Sequence, residues 1–550
     1  MDNIYEKIAQ LSSDGLWDEV FCTVKDGLRH NYRDYELYFA LGEYYLNHMN
    51  NINQAYLCYE NALYYCQDDN DTAYIAGVMN EIIELGVSVK PVSIVIVSYN
   101  SIDIMKLCLS GIRDNNNSDT YELVVVDNAS TDGVAEWLQS QNDIVYIRNK
   151  DNKGFGFACN QGIKAAAPDN DIFLLNNDTY VTPNAIFWLR MGLYENERIG
   201  ATGCDSNFAS GQMISEKYST LQEYIEYGIR NNIPDVNPYE KKVWLSGFAM
   251  MIRRNALDNV GLLDLRYGMG YYEDDDLGIR LQTAGYHCVL CHNSFIFHWG
   301  SLSFKEKGDM SGELVCTNRN IFKDKWGFNI DYYSHPRTDI IQFISEARDK
   351  AIRVLEVGCG CGATLFRIKY MWPHADVKGI EIVDKIAEIG ANNCDIIQGN
   401  IESMELPYEK EYFDYIIFGD VLEHLFEPDK VLKKIKPYMK KDASLLVSIP
   451  NIMSATVIVP LLCGNFQYED SGILDRTHVK FYTLYTIIKL LDECGYKTET
   501  YRKVCHNDLG INIKKEYMEA LYNVLDSIPG SADREQFDVY QYILKASVTD

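Results

Sequence analysis

Short apolar runs of strand length, each followed by polar residues, constrain the fold of this chain more than any other feature. In the first half of the chain these runs cover residues 92–97, 123–126 and 172–175. Helical stretches separate them, and a strand that is buried on both faces is typically a continuous apolar run. Alternating strands and helices predict a parallel sheet covered by helices. We therefore expect an α/β domain over residues 91–333.

A second series of the same kind begins after a break near residues 334–336. Residues 353–357 form an apolar run that leads into closely spaced glycines, which predicts a second α/β domain over residues 338–550. Residues 1–88 contain no proline, and their apolar positions recur at spacings of three and four, which predicts helices. The expected fold class is thus α/β multidomain with a helical N-terminal segment, and 550 residues are enough for three domains.

The helical N-terminal segment resembles one tetratricopeptide repeat with one inserted residue. The residues that carry this resemblance are Tyr38, Leu41, Gly42, Tyr45, Ala55, Tyr59 and Ala62. A single repeat cannot bury its own apolar face. Two interpretations follow: the segment is a cap on the next domain or on a second subunit, or it docks a peptide or glycoprotein partner.

Composition excludes several classes of protein. The net charge of −28 would repel nucleic acids and anionic lipid surfaces at long range. The N-terminus lacks the basic and apolar regions of a secretory signal, and the nine-residue apolar run 455–463 contains Pro460 and is too short to span a membrane. The 15 cysteines show no regular spacing, which favours reduced thiols. These features predict a cytoplasmic protein without a transmembrane segment.

Ligands of parallel α/β sheets bind beyond the carboxyl ends of the strands, where this chain places polar residues. In the first α/β segment these candidates are Ser98, Asn100, Asp127, Asn152, Gly154, Asn160, Asn176, Asn177 and Asp178. Together with residues 243–254 and 271–280, they resemble glycosyltransferase family 2 and its GT-A fold from about Pro91 to about Gly327. The resemblance implies an inverting, metal-dependent transfer of a sugar from a nucleotide-sugar donor.

The resemblance assigns roles to these residues. Asp127 would hold the nucleobase or ribose, within a donor site lined by Ser98, Asn100, Asn152, Gly154, Asn160 and Asn177. Asp178 would bind Mg or Mn through the family's Asp-x-Asp motif, although Asn176 replaces the first aspartate. Asp178 could alternatively cap a helix before residues 182–183. His298 is either a second metal ligand or a structural histidine.

An acidic run at residues 273–276 supplies a candidate catalytic base. Inverting transfer needs a carboxylate that takes the proton of the acceptor hydroxyl as its oxygen attacks the anomeric carbon. The resemblance places Asp274 in this role, with Glu273 beside it. Clustered acids raise each other's proton affinity, which suits a base. A solvated acidic helix start would give the same pattern.

The second α/β segment carries a glycine-rich turn followed by acids. Glu356, Gly358 and Gly360 precede Glu381, which ends a strand 19 residues after Gly362. This pattern alone also fits a dinucleotide site. With Asn400 and the strand that ends at Asp420 added, the second α/β segment resembles class I S-adenosylmethionine-dependent methyltransferases over about residues 340–550.

The resemblance implies that Glu356, Gly358, Gly360, Glu381 and Asn400, with Asp420, form the S-adenosylmethionine site. His424 and His478 are candidate bases for methylation of a hydroxyl, or alternatively structural residues.

The two halves together predict a bifunctional enzyme. The first α/β segment is most similar to rhamnosyltransferases, which implies a dTDP-L-rhamnose donor, while UDP-hexoses remain open. We expect the first domain to add a sugar to a surface glycan or glycoprotein and the second to O-methylate that glycan. Two alternatives remain: a scaffold protein with one degenerate nucleotide site, or methylation that terminates a growing glycan chain.

Overall fold

The computed structural model describes residues 4–300, 310–530 and 533–549. The chain divides into two compact units, Met1–Asp331 and Tyr332–Asp550. A helical N-terminal segment precedes two separate α/β sheets, one in each unit, which confirms the predicted fold class. Among the described residues, every helix is too short or too polar to cross a lipid bilayer.

The first unit begins with helices that each pack against the next one along the chain. They are α1 Ile4–Ser13, α2 Trp17–His30, α3 Tyr35–Asn47, α4 Ile52–Tyr65 and α5 Asp69–Glu84. The side chains of Asp34, Asn51 and Asp68 accept hydrogen bonds from the first backbone N–H groups of α3, α4 and α5, and so fix where these helices start. Helices α3 and α4 pack closely because Gly42 has no side chain: a Cβ there would lie 2.5 Å from the Tyr59 ring.

These helices pack on α9 (Ala185–Leu193), whose nine residues are all buried. The Gln54 Nε2 donates a hydrogen bond to the Met191 carbonyl oxygen at 2.8 Å, and Arg190 forms a buried ion pair with Glu60. Apolar residues of the helical segment and of the first sheet belong to one continuous core. The structure therefore places the segment as a cap on the α/β part of the same unit, which corresponds to the first of the two interpretations.

The first unit contains a mixed sheet. Its strands are β1 Val92–Ser98, β2 Tyr121–Asp127, β3 Ile144–Arg148, β4 Asp171–Asn176, β5 Thr179–Val181, β6 Ile199–Asp205, β7 Tyr239–Lys242, β8 Ala249–Ile252 and β9 His287–His298. Their order is β3-β2-β1-β4-β8-β6-β9-β5, with β7 paired to β9. Strand β1 is parallel to both β2 and β4, whereas β8 is antiparallel to β4 and β6.

Helices cover this sheet. They are α6 Ile102–Asn115, α7 Val134–Gln139, α8 Phe155–Ala165, α9, α10 Leu221–Asn231, α11 Arg254–Val260 and α12 Glu273–Thr283. Helix α13 (Met310–Trp326) packs beside the start of α12, where Trp326 Nε1 donates a hydrogen bond to Asp276 Oδ1 at 2.8 Å. A short helix, α14 Ile330–Tyr333, lies where the two units meet in the chain.

The second unit contains a mostly parallel sheet. Its strands are β10 Arg353–Val357, β11 Asp376–Glu381, β12 Asp395–Gln398, β13 Phe413–Gly419, β14 Met439–Pro450, β15 Tyr496–Cys505 and β16 Val539–Val548. The order is β12-β11-β10-β13-β14-β16-β15, and β16 runs antiparallel to β14 and β15. The helices are α15 Thr338–Ile341, α16 Ala363–Met371, α17 Asp384–Ala391, α18 Pro428–Ile435, α19 Ala455–Leu462, α20 Leu484–Glu493 and α21 Lys515–Asp526.

In each unit the first strand of the sheet has parallel neighbours on both sides. The chain leaves β1 toward β2 and returns to β4 on the other side, and β10 lies between β11 and β13 in the same way. The loops that follow such a strand separate in opposite directions and leave a crevice at its carboxyl end. Both crevices are therefore candidate sites.

Candidate active sites

Two loops at the carboxyl ends of β1 and β2 are joined by reciprocal hydrogen bonds. The backbone N–H of Asn100 donates to Ser130 Oγ at 2.8 Å, and Asn100 Oδ1 accepts from the Thr131 N–H at 2.9 Å. Asn100 has a φ of +57°, the left-handed conformation that Asn tolerates better than most residues. Asn100 thus shapes the crevice, and its side-chain oxygen is engaged by the protein itself.

Two polar residues at the ends of β1 and β2 are completely buried. Asp127 Oδ1 accepts from the Ser130 N–H at 3.0 Å, and Asp127 Oδ2 lies 3.5 Å from Arg148 Nε. Ser98 Oγ is buried without a hydrogen-bond partner. Asp127 is therefore held in a fixed position, while Ser98 carries an unused polar group at the end of β1.

The loop before α8 is fixed by close backbone contacts. Gly154 has a φ of +89°, and a Cβ there would lie 2.1 Å from the Gly268 carbonyl oxygen, so only glycine fits. Asn152 Oδ1 accepts from the Gly154 N–H at 3.0 Å. Both polar ends of the Asn160 amide bind the Leu263 backbone, at 2.8 and 3.0 Å. In this arrangement Asn160 anchors a loop, and one hydrogen-bonding position at each end of its amide is used by the Leu263 backbone.

Asp178 and His298 form a pair with the chemistry of a metal site. Strand β5 pairs with β9, and this brings Asp178 Oδ1 within 3.1 Å of His298 Nε2. The other ring nitrogen, Nδ1, lies 2.6 Å from the Phe208 carbonyl oxygen and must donate to it. In the neutral tautomer Nε2 then carries a lone pair that faces a carboxylate oxygen. The His298 nitrogen and the Asp178 oxygen are thus two electron-pair donors close enough to bind one cation together. The hydrogen bond to the Phe208 carbonyl oxygen fixes the orientation of the His298 ring. Asn177 is buried beside Asp178.

Glu273 and Asp274 lie at the start of α12. Tyr271 and Tyr272 before them both have a φ of +73°, a strained conformation for bulky residues. Asp274 Oδ2 accepts from the Gly247 N–H at 2.8 Å. Burial raises the pKa of Asp274, and burial together with the charge of Asp274 raises the pKa of Glu273. Both carboxyls therefore bind protons more strongly than solvated acids do.

The dipeptide Gly247–Phe248 connects the acidic pair to the metal-type pair. The Gly247 N–H holds Asp274, and the Phe248 ring stacks on the His298 ring with centroids 4.9 Å apart. The Phe248 carbonyl oxygen also accepts from the backbone N–H of Asn176 at 2.8 Å. Two neighbouring residues thus bring Asp274, His298 and the end of β4 to one edge of the sheet.

In the second unit, the glycine-rich turn folds over the end of β10. Gly358 and Gly360 have φ values of +72° and +56°, and a Cβ at Gly360 would lie 2.8 Å from the Tyr333 carbonyl oxygen. Glu381 Oε2 accepts from the Gly360 N–H at 2.9 Å, and Glu381 Oε1 accepts from the Val383 N–H at 2.9 Å. Glu381 therefore fixes the turn and lies at the end of β11 beside it.

Three more residues predicted for this site differ in the hydrogen bonds and ion pairs that their side chains form within the protein. Glu356 is buried, its Oε2 has no hydrogen-bond partner, and burial raises its pKa to about 8. Asp420 accepts from Ser448 Oγ at 2.7 Å and pairs with Arg337 at 2.6 Å. Asn400 Oδ1 accepts from a backbone N–H two residues later and closes a turn. Among these three, only Glu356 retains a carboxylate oxygen without a partner.

His424 and His478 lie together although 53 residues separate them in the chain. Their ring centroids are 4.7 Å apart, and Glu423 is adjacent, with His478 Nε2 4.0 Å from Glu423 Oε1. Burial lowers the pKa of His424 and raises that of Glu423 well above its ordinary value. The imidazole of His424 is thus neutral at pH 7.

The structure therefore brings together Asp178 with His298, Glu273 with Asp274, and His424 with His478. Sequence reasoning assigned no role to Phe248, Arg337 or Glu423. Glu423 had a visible signal, because an acid directly precedes the candidate base His424 after an apolar strand. Phe248 lies within residues 243–254, which carried part of the family resemblance, and Arg337 had no signal. The contacts of Phe248 with His298 and of Arg337 with Asp420 could not be predicted, because each joins residues more than 25 positions apart.

The chain matches two family models. Residues 93–261 match the glycosyl transferase family 2 model, and residues 330–501 match a methyltransferase domain model. Each match covers less than half of the chain. The two matches lie on the two α/β sheets and include the carboxyl ends of β1 and β10.

Curated relatives match each part separately. The N-acetylglucosaminyl-diphospho-decaprenol L-rhamnosyltransferase of Mycobacterium tuberculosis is 28% identical over 203 residues, 32% of this chain and 66% of that protein. The malonyl-acyl-carrier-protein O-methyltransferase of Halalkalibacterium halodurans is 26% identical over 121 residues, 20% of this chain and 44% of that protein. The chain spans less than two thirds of the length of the curated relatives it matches.

Among solved structures, the mannosyltransferase of Pyrobaculum calidifontis in complex with GDP-Man and Mn2+ is similar at 17% identity. The match covers 38% of this chain and 57% of that one, with a TM-score of 0.29.

The buried carboxyl of Glu356 makes the stability of the second unit depend on pH. Its pKa is about 8 in the folded protein and 4.5 ordinarily, so its contribution is complete below about pH 4.5 and is lost as the pH rises through 8. Glu356→Gln should therefore flatten the fall in unfolding free energy between pH 5 and 8 by about 1 kcal/mol per pH unit. Hydrogen exchange of β10 and β11 peptides, corrected for intrinsic rates, measures this. The exposed Glu388→Gln is the control, and equal slopes for Glu356→Gln and wild type would contradict the prediction.

Proposed function

We propose that this chain, which joins a glycosyltransferase family 2 domain to an S-adenosylmethionine-dependent methyltransferase domain, builds and modifies one glycan. The first domain transfers a sugar, with rhamnose as the preferred candidate, from a nucleotide-sugar to a surface glycan or glycoprotein with inversion. The second domain O-methylates that glycan. Both reactions take place in the cytoplasm.

The Gly247–Phe248 contact carries the first half of this proposal. The Gly247 N–H binds the carboxylate of Asp274, and the Phe248 ring stacks on the ring of His298. The ring of His298 faces Asp178. Inverting transfer needs both groups at one place: a base for the acceptor hydroxyl and positive charge beside the leaving diphosphate. The contact fixes their relative position.

The residues of this site would act as follows. Asp274 takes the proton of the acceptor hydroxyl as the oxygen attacks the anomeric carbon, and its raised pKa suits this task. Asp178 and His298 would hold Mg or Mn, which supplies charge that stabilises the departing diphosphate. Asp127, buried and held by the Ser130 N–H, orients the nucleoside.

The choice of donor rests on a relative. The matching protein of Mycobacterium tuberculosis is named as an L-rhamnosyltransferase, and at 28% identity this supports dTDP-L-rhamnose as the first donor to test. UDP-hexoses belong in the same panel.

The second half of the proposal rests on the turn between β10 and α16. Gly360 leaves backbone exposed where a side chain would collide, so a ligand can approach it closely. Once its proton is released, the unpartnered oxygen of Glu356 fits a cationic group such as the ammonium of S-adenosylmethionine, and Glu381 can accept bonds from ribose hydroxyls. S-adenosylmethionine supplies an activated methyl group when bound. His424 and His478 position the acceptor hydroxyl.

Asp274→Asn keeps the size of the side chain and removes the base. We expect sugar transfer to fall about 1,000-fold while the affinity for the nucleotide-sugar stays within a factor of about three. Product formation is measured by mass spectrometry with dTDP-L-rhamnose and a glycan acceptor. Asp258→Asn, an exposed aspartate on α11, is the matched control. Unchanged transfer by Asp274→Asn would assign the base elsewhere.

Asp178→Asn tests the metal pair. In the wild-type protein Mn should tighten binding of the nucleotide-sugar. In the variant this Mn-dependent gain in affinity should be about 10- to 100-fold smaller, because one charged ligand is gone. Titration calorimetry with and without Mn measures the difference, with the exposed Asp169→Asn as control. If Mn tightens binding equally in both proteins, the ion binds at another place.

Glu381→Ala separates the two activities. Loss of the acceptor at the end of β11 should weaken S-adenosylmethionine binding about 10- to 100-fold and leave sugar transfer unchanged. Binding is followed by calorimetry and sugar transfer by mass spectrometry on the same preparation, beside Glu388→Ala from the exposed face of α17. Normal S-adenosylmethionine affinity in Glu381→Ala would exclude the proposed site.

A further inference from the structure

A buried carboxylate without a hydrogen-bond partner lies just after β13 in the second unit. Glu423 is 1% exposed, and neither of its carboxylate oxygens has a partner in the structure. An ionised carboxylate is strongly destabilised in such surroundings unless a proton or a cation compensates its charge. Glu423 therefore needs a proton or a cation beside it, and the neighbouring side chains indicate which kind of cation could bind there.

Two imidazoles converge on this carboxylate. One ligand atom each from Glu423, His424 and His478 lies within 4.8 Å of the other two. Ligands that share one ion with bonds of about 2.0–2.2 Å are about 3–3.5 Å apart. Small side-chain rotations therefore close the group around an ion. His424 is only partly buried, which leaves the group accessible from solvent.

Hydrogen bonds fix which nitrogen of each ring is available. His478 Nδ1 donates to the Ile473 carbonyl oxygen at 2.9 Å, which leaves the lone pair on Nε2 facing Glu423. The Thr477 hydroxyl donates to Asp475 Oδ1 at 2.6 Å, so its oxygen accepts from His424 Nδ1 at 3.1 Å. The lone pair of His424 is then also on Nε2. Backbone or side-chain acceptors that hold the remote nitrogen are typical of metal-binding histidines.

A buried histidine elsewhere in the chain gives a contrast. His292 lies 3.0 Å from Asp205 Oδ2 and 2.9 Å from Glu240 Oε2, so both carboxylates bond it directly. That cluster satisfies its charges internally. Glu423 and His478, separated by 4.0 Å, are too far apart for such a bond.

We propose that Glu423, His424 and His478 bind a divalent transition-metal ion, and that this ion holds the acceptor hydroxyl for methyl transfer. The second clause rests on the proposed methyltransferase function, whereas the metal site itself does not. Two imidazoles and one carboxylate favour Zn, Fe, Co or Mn over Mg and Ca, which prefer oxygen ligands.

Three protein ligands leave coordination positions open, as in catalytic metal sites. A hydroxyl of the glycan binds there and becomes more acidic. In the transfer the oxygen of this hydroxyl forms a bond to the methyl carbon of S-adenosylmethionine. The bond between that carbon and sulfur breaks, and its electron pair stays on sulfur. The proton of the hydroxyl leaves to solvent water.

Cobalt(II) titration of the full-length protein tests the site directly. The parent carries Asp178→Asn, so that the metal pair of the first unit does not contribute. After removal of metals with EDTA, we expect about one equivalent of Co2+ to bind and give a visible absorption band. Glu423→Gln and His478→Ala should each weaken this binding at least 100-fold, and His374→Ala, an exposed histidine of the same unit, should not. Retained S-adenosylmethionine affinity shows that the variants are folded.

The outcomes separate the site from the proposed function. Equal Co2+ binding by the parent and Glu423→Gln, or no binding by the parent, would overturn the metal site. Full methyl transfer by the metal-free parent would overturn the role of the ion in holding the hydroxyl. Co2+ binding that depends on Glu423, without methyl transfer to any glycan, would support the site and contradict the proposed methyltransferase function.

Discussion

Both α/β sheets of this chain start at an inner strand, and each candidate site depends on that constraint. Parallel strands need long connections, so the chain that leaves β1 or β10 passes over one half of the sheet and then returns to the other half. At the carboxyl end of the inner strand the two sets of loops separate. Backbone N–H groups and polar side chains at the ends of the strands line this crevice without loss of ladder hydrogen bonds, and several of these side chains are buried, among them Ser98, Asp127 and Glu381.

The two units use this crevice differently. In the first, one dipeptide between β7 and β8 contacts both the carboxylate of Asp274 and the ring of His298, so two consecutive residues set the spacing between these side chains. In the second, Glu381 reaches back to the glycine turn and holds it through a backbone N–H. The first site is organised by side chains that meet across the sheet edge, and the second by the backbone conformation of a turn.

Much of this arrangement could be predicted from the sequence. The apolar runs before Asp127 and Asn176 locate two of the strands, because burial on both faces leaves a continuous apolar pattern. The pairing of distant side chains could not be predicted, since it depends on strand order and loop closure. The contact of His478 with Glu423 is one example. Asn160 is another: it was predicted to line the nucleotide-sugar site, and its two hydrogen bonds to the Leu263 backbone could not be read from the sequence.

Helix α9 is buried around its whole circumference, with the sheet on one side and the N-terminal helices on the other. The first sheet and its helices, copied or recombined without the N-terminal helices, would expose the apolar side chains of α9 and the side chain of Arg190 to water. Gene rearrangements that preserve folding must therefore move the N-terminal helices and the first sheet together, whereas the sheet of the second unit has its own apolar cores and does not depend on α9.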